Sequence, residues 1–240
     1  IVSWKATPTL NRRLELLMDV AEKANFSLSI IYQGLDFQRK PLSTSQIDHD
    51  FEYFVTNYAD NPVFGMYDKP VMIWSGTWEF SPAQISRVTS GYRDRMYILA
   101  SERNTEGYLS LANAVDGNAY YWSSVDPEKD SRYEEKLNEM GALVHEHGGL
   151  WIAPAAPGFD ARLIGGTRVI ERNEGKTLRL QLNAALRSSP DMIGVISWNE
   201  FSENSHIEPS VNYGTVALET LKSGHLSTVP QPLEFDSSAE

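Results

Sequence analysis

Between positions 197 and 209 the chain gathers three carboxylates, Glu200, Glu203 and Glu208, and one imidazole, His206, behind a strand-like run that ends at Trp198 and Asn199. In an extended segment Glu200 and Glu203 fall on opposite faces, whereas one helical turn brings side chains three apart within about 5–6 Å at Cβ. A turn at this point therefore converges them. Two carboxylates at such a separation can cleave a glycosidic bond: one gives a proton to the leaving oxygen, the other serves as base or nucleophile, and mutual repulsion drives their pKa values apart. Spacing alone leaves a second reading open, a solvated acidic loop in which Glu208 merely faces water.

What positions the pair is the run 192–198, Met-Ile-Gly-Val-Ile-Ser-Trp, which reads as a buried strand. Similar runs occupy 1–4, 27–32, 70–74, 96–100, 118–122 and 150–154, and helical patterns separate them. Thr7-Pro8 caps a helix over 7–26 with Leu10, Leu14, Leu17, Met18 and Ala21 on one face. Further helices are predicted over 43–59, 81–92, 105–114, 130–147, 176–187 and 213–221. Alternating helices and near-continuous apolar strands imply a parallel sheet covered by helices. The 240 residues match the usual size of a (β/α)8 TIM-type barrel, about 250 residues. The strand count is one short of eight, with the gap at the front. On this reading 1–224 form the barrel domain, 225–240 a tail or linker, and further domains or an N-terminal segment of the same protein complete the ring. The wall beside Glu200 is then expected to be incomplete. An open doubly wound sheet is the alternative, but Gly148-Gly149 and Gly165-Gly166 lie in the wrong contexts for a phosphate loop.

Functional groups of a parallel barrel gather at the C-terminal ends of its strands. Those ends carry Trp4, Tyr32-Gln33, Trp74, Glu102 and Trp122, then Asp160 with Arg162, and finally Trp198-Asn199. Flat rings with polar edges line sugar sites as readily as they fill cores, and the chain holds Trp 6, Tyr 11 and Phe 9. The strand-end rings are expected to be stacking walls, and Gln33, Asn199, His206 and Glu208 polar contacts of a carbohydrate substrate. Glu102 is read either as a substrate ligand or as a group behind one, and Asp160 with Arg162 either as a grip on a hydroxyl or as an ordinary ion pair.

The run from Ser197 to Glu203 with Ile207-Glu208 resembles the Asn-Glu-Trp-x-Glu-Gly-x-x-Ile-Glu signature of glycoside hydrolase family 99, the endo-α-mannosidases and endo-α-mannanases. It is less similar to the Trp-Asn-Asp-x-x-Glu pattern of the family 71 α-1,3-glucanases. The segment 1–4 looks like the second barrel strand of family 99, Asp116-Gly117 like its Asp-Gly-x-Tyr element, and Pro157-Gly158-Phe159-Asp160 like its Pro-Gly-Tyr-Asp loop. The resemblance implies a (β/α)8 barrel and a hydrolysis that retains configuration because the sugar's own 2-hydroxyl attacks the anomeric carbon. It makes Glu200 the base on that hydroxyl. Glu203 becomes the acid on the leaving oxygen and later the base on water. Phe201 stands where the family has Trp, and Asn204 where it has Gly; Asn tolerates the left-handed backbone that such a turn needs. The family's first strand has no counterpart here. The implied function is a retaining glycoside hydrolase for α-linked, mannose-containing polysaccharide or glycan, with an α-glucanase like family 71 or a non-catalytic glycan-binding barrel as alternatives.

Lys+Arg 21 against Asp+Glu 32 gives a net charge of −11, which repels phosphate backbones, so nucleic acid is not an expected partner. No run approaches the roughly 20 apolar residues of a membrane helix, and no membrane partner is expected. Cys 0 removes disulfides and thiolate metal sites. A start without Met is compatible with a removed export signal and leans towards a secreted or periplasmic location. His145-Glu146-His147 looks like a metal cluster, but positions i and i+2 diverge on a helix and imidazoles suit its C-terminal dipole. Neither cofactor nor metal is expected. Asn25-Phe26-Ser27 reads as an unused glycosylation acceptor, and no Gly-x-Ser-x-Gly elbow supports serine chemistry.

Overall fold

The computed structural model describes residues 1–119 and 124–225, and parallel strands run through them in the order of the chain. Strands β1 (Val2–Trp4), β2 (Ile30–Gln33), β3 (Val71–Ser75) and β4 (Tyr97–Leu99) pair in sequence. A parallel bridge from Ala100 to Asn118 leads on to β5 (Gly117–Ala119), which pairs with β6 (Leu150–Ala155). A small antiparallel hairpin, β7 (Phe159–Asp160) with β8 (Val169–Ile170), then leaves the series before β9 (Met192–Val195) returns to pair with β6. The covering helices are α1 (Pro8–Lys23), α2 (Thr44–Asn57), α3 (Pro82–Thr89), α4 (Thr105–Leu111), α5 (Tyr133–Glu146), α6 (Lys176–Arg187) and α7 (Val216–His225).

Several helix starts are built by the expected local chemistry. Thr7 accepts a hydrogen bond from the Leu10 amide with Pro8 in the first turn, Ser43 does the same for Gln46, and Ser81 with Gln84 forms a reciprocal capping box. Other boundaries differ from expectation. α5 starts at Tyr133 rather than 130, because Asp126 and Asp130 spend their carboxylates on local turns around 126–132. The closing helix is Val216–His225, not 213–221, because the Tyr213 amide is held by the Ser210 hydroxyl in the turn before it. The strand expected over 118–122 is described only as Gly117–Ala119; Trp122 and its neighbours at 120–123 lie outside the described residues, as does the tail 226–240.

Period-2 alternation divides the strand residues into two layers. Val71, Ile73, Leu99, Ala119 and Ile152 meet one another inside the curve of the sheet. Ile30, Met72, Ile98, Trp151 and Ala153 face the helices, where Leu14, Phe51, Phe54, Ile85 and Leu137 cover them. The ring is not closed by the described residues: β1 has only β2 beside it and β9 only β6. All four residues of β9 are accordingly half-buried, although their sequence is among the most strand-like in the chain.

Candidate active site

Past β9 the Ile196 amide still reaches Ala155, and a cis peptide joins Ile196 to Ser197. The chain then doubles back: Ser197 donates to Ser205, and Ile207 and Glu208 donate to Ser197 and Trp198. Inside this loop residues Phe201–Glu203 form a single 3₁₀ turn with Glu200 at its head, and the Glu200 amide donates to the Ser197 hydroxyl at 2.9 Å. The Glu203 carboxyl feels the charge of Glu200 across this turn, while Phe201 and Asn204 line a common cavity with His206. Asn204 ends the turn at φ 51, ψ 29, the left-handed conformation that Asn accepts in place of Gly.

The two carboxylates are unequal. Glu200 is exposed and Glu203 half-buried. Burial pushes the Glu203 carboxyl above its ordinary range, the charge of Glu200 pushes it further, and Arg39 in the loop after β2 pulls the other way. One member of the pair is thus biased to keep its proton beside a second carboxylate open to water.

The turn is pinned by Arg172, a residue that the sequence did not single out. Its guanidinium is buried and donates to the carbonyls of Asn204 and His206, directly after Glu203, while stacking on the Tyr213 ring at 4.1 Å. It makes no ion pair among the described residues, and burial lowers its pKa. Its stem passes over Gly158, where an added Cβ would come 2.7 Å from the Arg172 Cγ and 2.9 Å from the Ile170 carbonyl. That close approach is the physical reason for the glycine in Pro157-Gly158-Phe159-Asp160. Only this contact, between residues far apart in sequence, could have revealed Arg172.

The structure gathers some of the expected residues and corrects others. Trp4, Tyr32 and Trp74 lie side by side in register across β1, β2 and β3, and all three are 0–1 % exposed. They belong to the layer under the helices. Trp4 packs on Phe54 and Tyr58 and donates to Asn11; Tyr32 and Trp74 both meet Phe51 edge-on, and Tyr32 donates to Asp50. They are not stacking walls: their parity is that of Ile30 and Met72, so alternation aims them away from the site. Gln33, one residue later, is exposed at the strand end, and Trp198 and Asn199 are exposed beside Glu200. His206 is buried under Phe201, the rings stacked at 4.1 Å, and Glu208 is half-buried. Asp160 and Arg162 pair through two nitrogens, which holds the Asp160 carboxyl down at about 2. Trp122 falls outside the described residues. His145 bonds to Asp191 and His147 to the Leu143 carbonyl.

Glu102 is interior, 5 % exposed, its backbone locked to the Asn118 side chain, and its Oε1 has no partner among the described residues. The carboxylate fits because α4 has Gly107 opposite it. Burial raises its pKa, and the Thr77 hydroxyl and Arg103 only partly oppose this. The folded state therefore holds this proton to higher pH than the unfolded chain does, and stability falls as pH rises from the ordinary carboxylate range through the raised value. Glu102→Gln should flatten that slope and melt higher than the wild type at pH 7. Melting curves at pH 4 to 8 test this, and a variant less stable than the wild type at pH 7 but not at pH 4 would show that the ionised carboxylate is instead needed.

Residues 1–228 match the sequence profile of Glycosyl hydrolase family 99. Over 216 residues the chain is 21% identical to the glycoprotein endo-alpha-1,2-mannosidase of Rattus norvegicus, covering 81% of this chain and 45% of that protein, so it spans about half the length of this curated relative. Its fold is similar to that of the family 99 endo-alpha-mannosidase of Bacteroides thetaiotaomicron, with a TM-score of 0.77 at 18% identity over 95% of this chain and 75% of the other. The structure of that enzyme with bis-tris propane matches equally, TM-score 0.77 and 18% identity, over 94% of this chain and 78% of the other.

Proposed function

The chain belongs to Glycosyl hydrolase family 99, and on that premise we propose that it is a retaining glycoside hydrolase cleaving α-linked, mannose-containing polysaccharide or glycan with Glu200 and Glu203 as its reacting pair. The observation that carries this reading is the unequal carboxylate pair in the turn after β9, with Glu203 biased towards its protonated form by burial and by Glu200. Glu200 takes the proton of the sugar 2-hydroxyl as its oxygen bonds to the anomeric carbon, while Glu203 gives its proton to the departing oxygen. Water then opens the strained ring, Glu203 removing its proton and Glu200 returning one to the 2-oxygen. Two displacements at one carbon restore the starting configuration. Trp198, Gln33, Asn199 and Glu208 are read as contacts to the glycan around this pair, and no cofactor takes part.

The finer architecture belongs to the same proposal. The unpaired edges of β1 and β9 suit closure into an eight-stranded (β/α)8 ring by one further strand. Leu16 and Val20, exposed one turn apart on α1, suit a further helix beside it.

Incubation with α-linked mannan, α-mannosyl glycans and α-1,3-glucan, followed by proton NMR of the first-formed anomer, tests the function. Products of retained configuration from mannosyl substrates are expected. Inverted products, glucan cleavage alone, or binding without products would each displace the reading.

A further inference from the structure

The segment that carries Arg172 is strained. Directly after it Asn173, Glu174 and Gly175 hold φ of 47, 52 and 82, three left-handed residues in a row before α6 begins. Strain of this kind persists only where the surroundings impose it, and it gathers at functional segments. Here it turns the chain out of the β7–β8 hairpin while Arg172 reaches the loop after β9, where a single Nη2 donates to the carbonyls of both Asn204 and His206. We propose that Arg172 is a positioning residue for Glu203, holding the turn so that this carboxyl delivers its proton to the leaving oxygen, and that it has no part in binding the glycan. The proposal rests on the hydrolase reading and deepens it, since it names what fixes the acid.

The turn needs support from outside. Its own closing bonds, from the Asn204 amide to Phe201 and from the Ser205 amide to Glu200, are both 3.2 Å, at the long end for an amide donor. Such bonds hold a single turn weakly, and Glu203 moves with it. Arg172 grips the chain at carbonyls one and three residues beyond Glu203, so the backbone there cannot rotate without breaking charge-assisted bonds. A second arm acts on the same residue: the Asn204 side-chain amide donates to the Tyr213 hydroxyl at 3.1 Å, and the Tyr213 ring lies under the guanidinium.

Arg172 supplies position rather than charge. A buried guanidinium without an ion pair among the described residues is costly, and a place that needed only filling would take an apolar side chain of similar volume. The charges that act on the Glu203 carboxyl are those of Glu200 and Arg39. Of the other ionisable groups around the turn, Asp160 and Arg162 pair with each other, Glu208 stands on the returning segment, and burial with the charge of Arg172 keeps His206 neutral. Burial is the largest cause that raises the Glu203 pKa, and burial is what a loosened turn gives up. Losing Arg172 should therefore lower that pKa, whereas losing a nearby positive charge would by itself raise it. The two roles carry opposite signs.

The test separates position from stability and from binding. In Arg172→Ala, kcat on unactivated α-mannosyl glycans should fall about 10²-fold, as a misplaced reacting group does, with KM unchanged, while aryl glycosides lose far less. Ethylguanidinium should restore much of the rate, because Arg172 walls a cavity of about 260 Å3 that gives it entry; ethylammonium should not. NMR titration of the carbon-labelled Glu203 carboxyl, identified by its absence in Glu203→Gln, should give a lower pKa in Arg172→Ala and recovery with ethylguanidinium. Tyr213→Phe, which loses only the bond from Asn204, should move both readings the same way by less. A raised Glu203 pKa, equal losses on both substrate types, or a change in KM alone would overturn the proposal. Wild-type protein that gives no products, with the titration as expected, would count against the hydrolase reading alone.

Discussion

Glu203→Gln should lower the rate on unactivated α-mannosyl glycans about 10²–10⁴-fold, the usual worth of a general acid, and should lower it far less on aryl glycosides whose leaving group needs no proton. Glu200→Gln should damage both substrate types, because the 2-hydroxyl must lose its proton whichever group departs. The structural cause is the half-buried Glu203 carboxyl, which burial and then the charge of Glu200 keep protonated above its ordinary range. Activity should therefore fall as pH rises through the Glu203 pKa, since the proton donor is lost there. The direction in which neighbours move that limb follows from their charges. Neutralising Glu200 removes a repulsion from ionised Glu203, so in Glu200→Gln the limb of the residual rate shifts to lower pH. Arg39→Gln removes an attraction, and the limb shifts to higher pH. Steady-state rates of the three variants across pH 3 to 8, on both substrate types, check the assignment. Equal residual rates for the two Glu variants on both substrates, or limbs that move the opposite way, would assign the acid to another residue.

Much of this arrangement is legible in sequence because it is local. Thr7-Pro8, Ser43 and Ser81-Pro82 mark helix starts through caps that involve neighbours three residues away, and the structure places each within a residue or two. The convergence of Glu200 and Glu203 needs only a turn, and Asn204 at positive φ is the residue type that lets it end. What the sequence hides depends on distant partners. Arg172 reaches carbonyls 32 and 34 residues away, and nothing near it in sequence announces that role. Gly158 can be recognised as a motif residue, but its reason, the Arg172 stem lying across it, exists only in the fold. The short hairpin of β7 and β8 has two residues per strand, below the length at which alternation carries a signal. The misplaced aromatic walls are different, because their signal was present. Trp74 shares parity with Met72 and not with Val71 and Ile73, and alternation counted from the inward residues points it towards the helices.

That parity makes a second large effect expected. Trp4→Ala and Trp74→Ala should each cost about 3–5 kcal/mol of stability, as large-to-small changes in a filled core do. At about 2–4 °C per kcal/mol for a chain of this size, the melting temperature should fall by roughly 6–20 °C. Trp198→Ala is the matched control: its ring is 53% exposed beside Glu200, so stability should change by no more than about 0.5 kcal/mol while glycan affinity drops. The Phe variants separate packing from hydrogen bonding. The Trp4 indole donates to Asn11 at 3.0 Å, so Trp4→Phe loses a bond as well as volume. The Trp74 indole nitrogen is buried without a partner among the described residues, so Trp74→Phe relieves a desolvated donor while keeping a ring edge-on to Phe51 and Phe80. Trp74→Phe should accordingly be the milder of the two. Melts of Trp4→Ala and Trp74→Ala within a degree or two of the wild type, together with weakened glycan binding, would return those rings to the groove and refute the outward row. Large losses of stability leave Trp198 and Phe201 as exposed rings in the loop that carries the reacting pair.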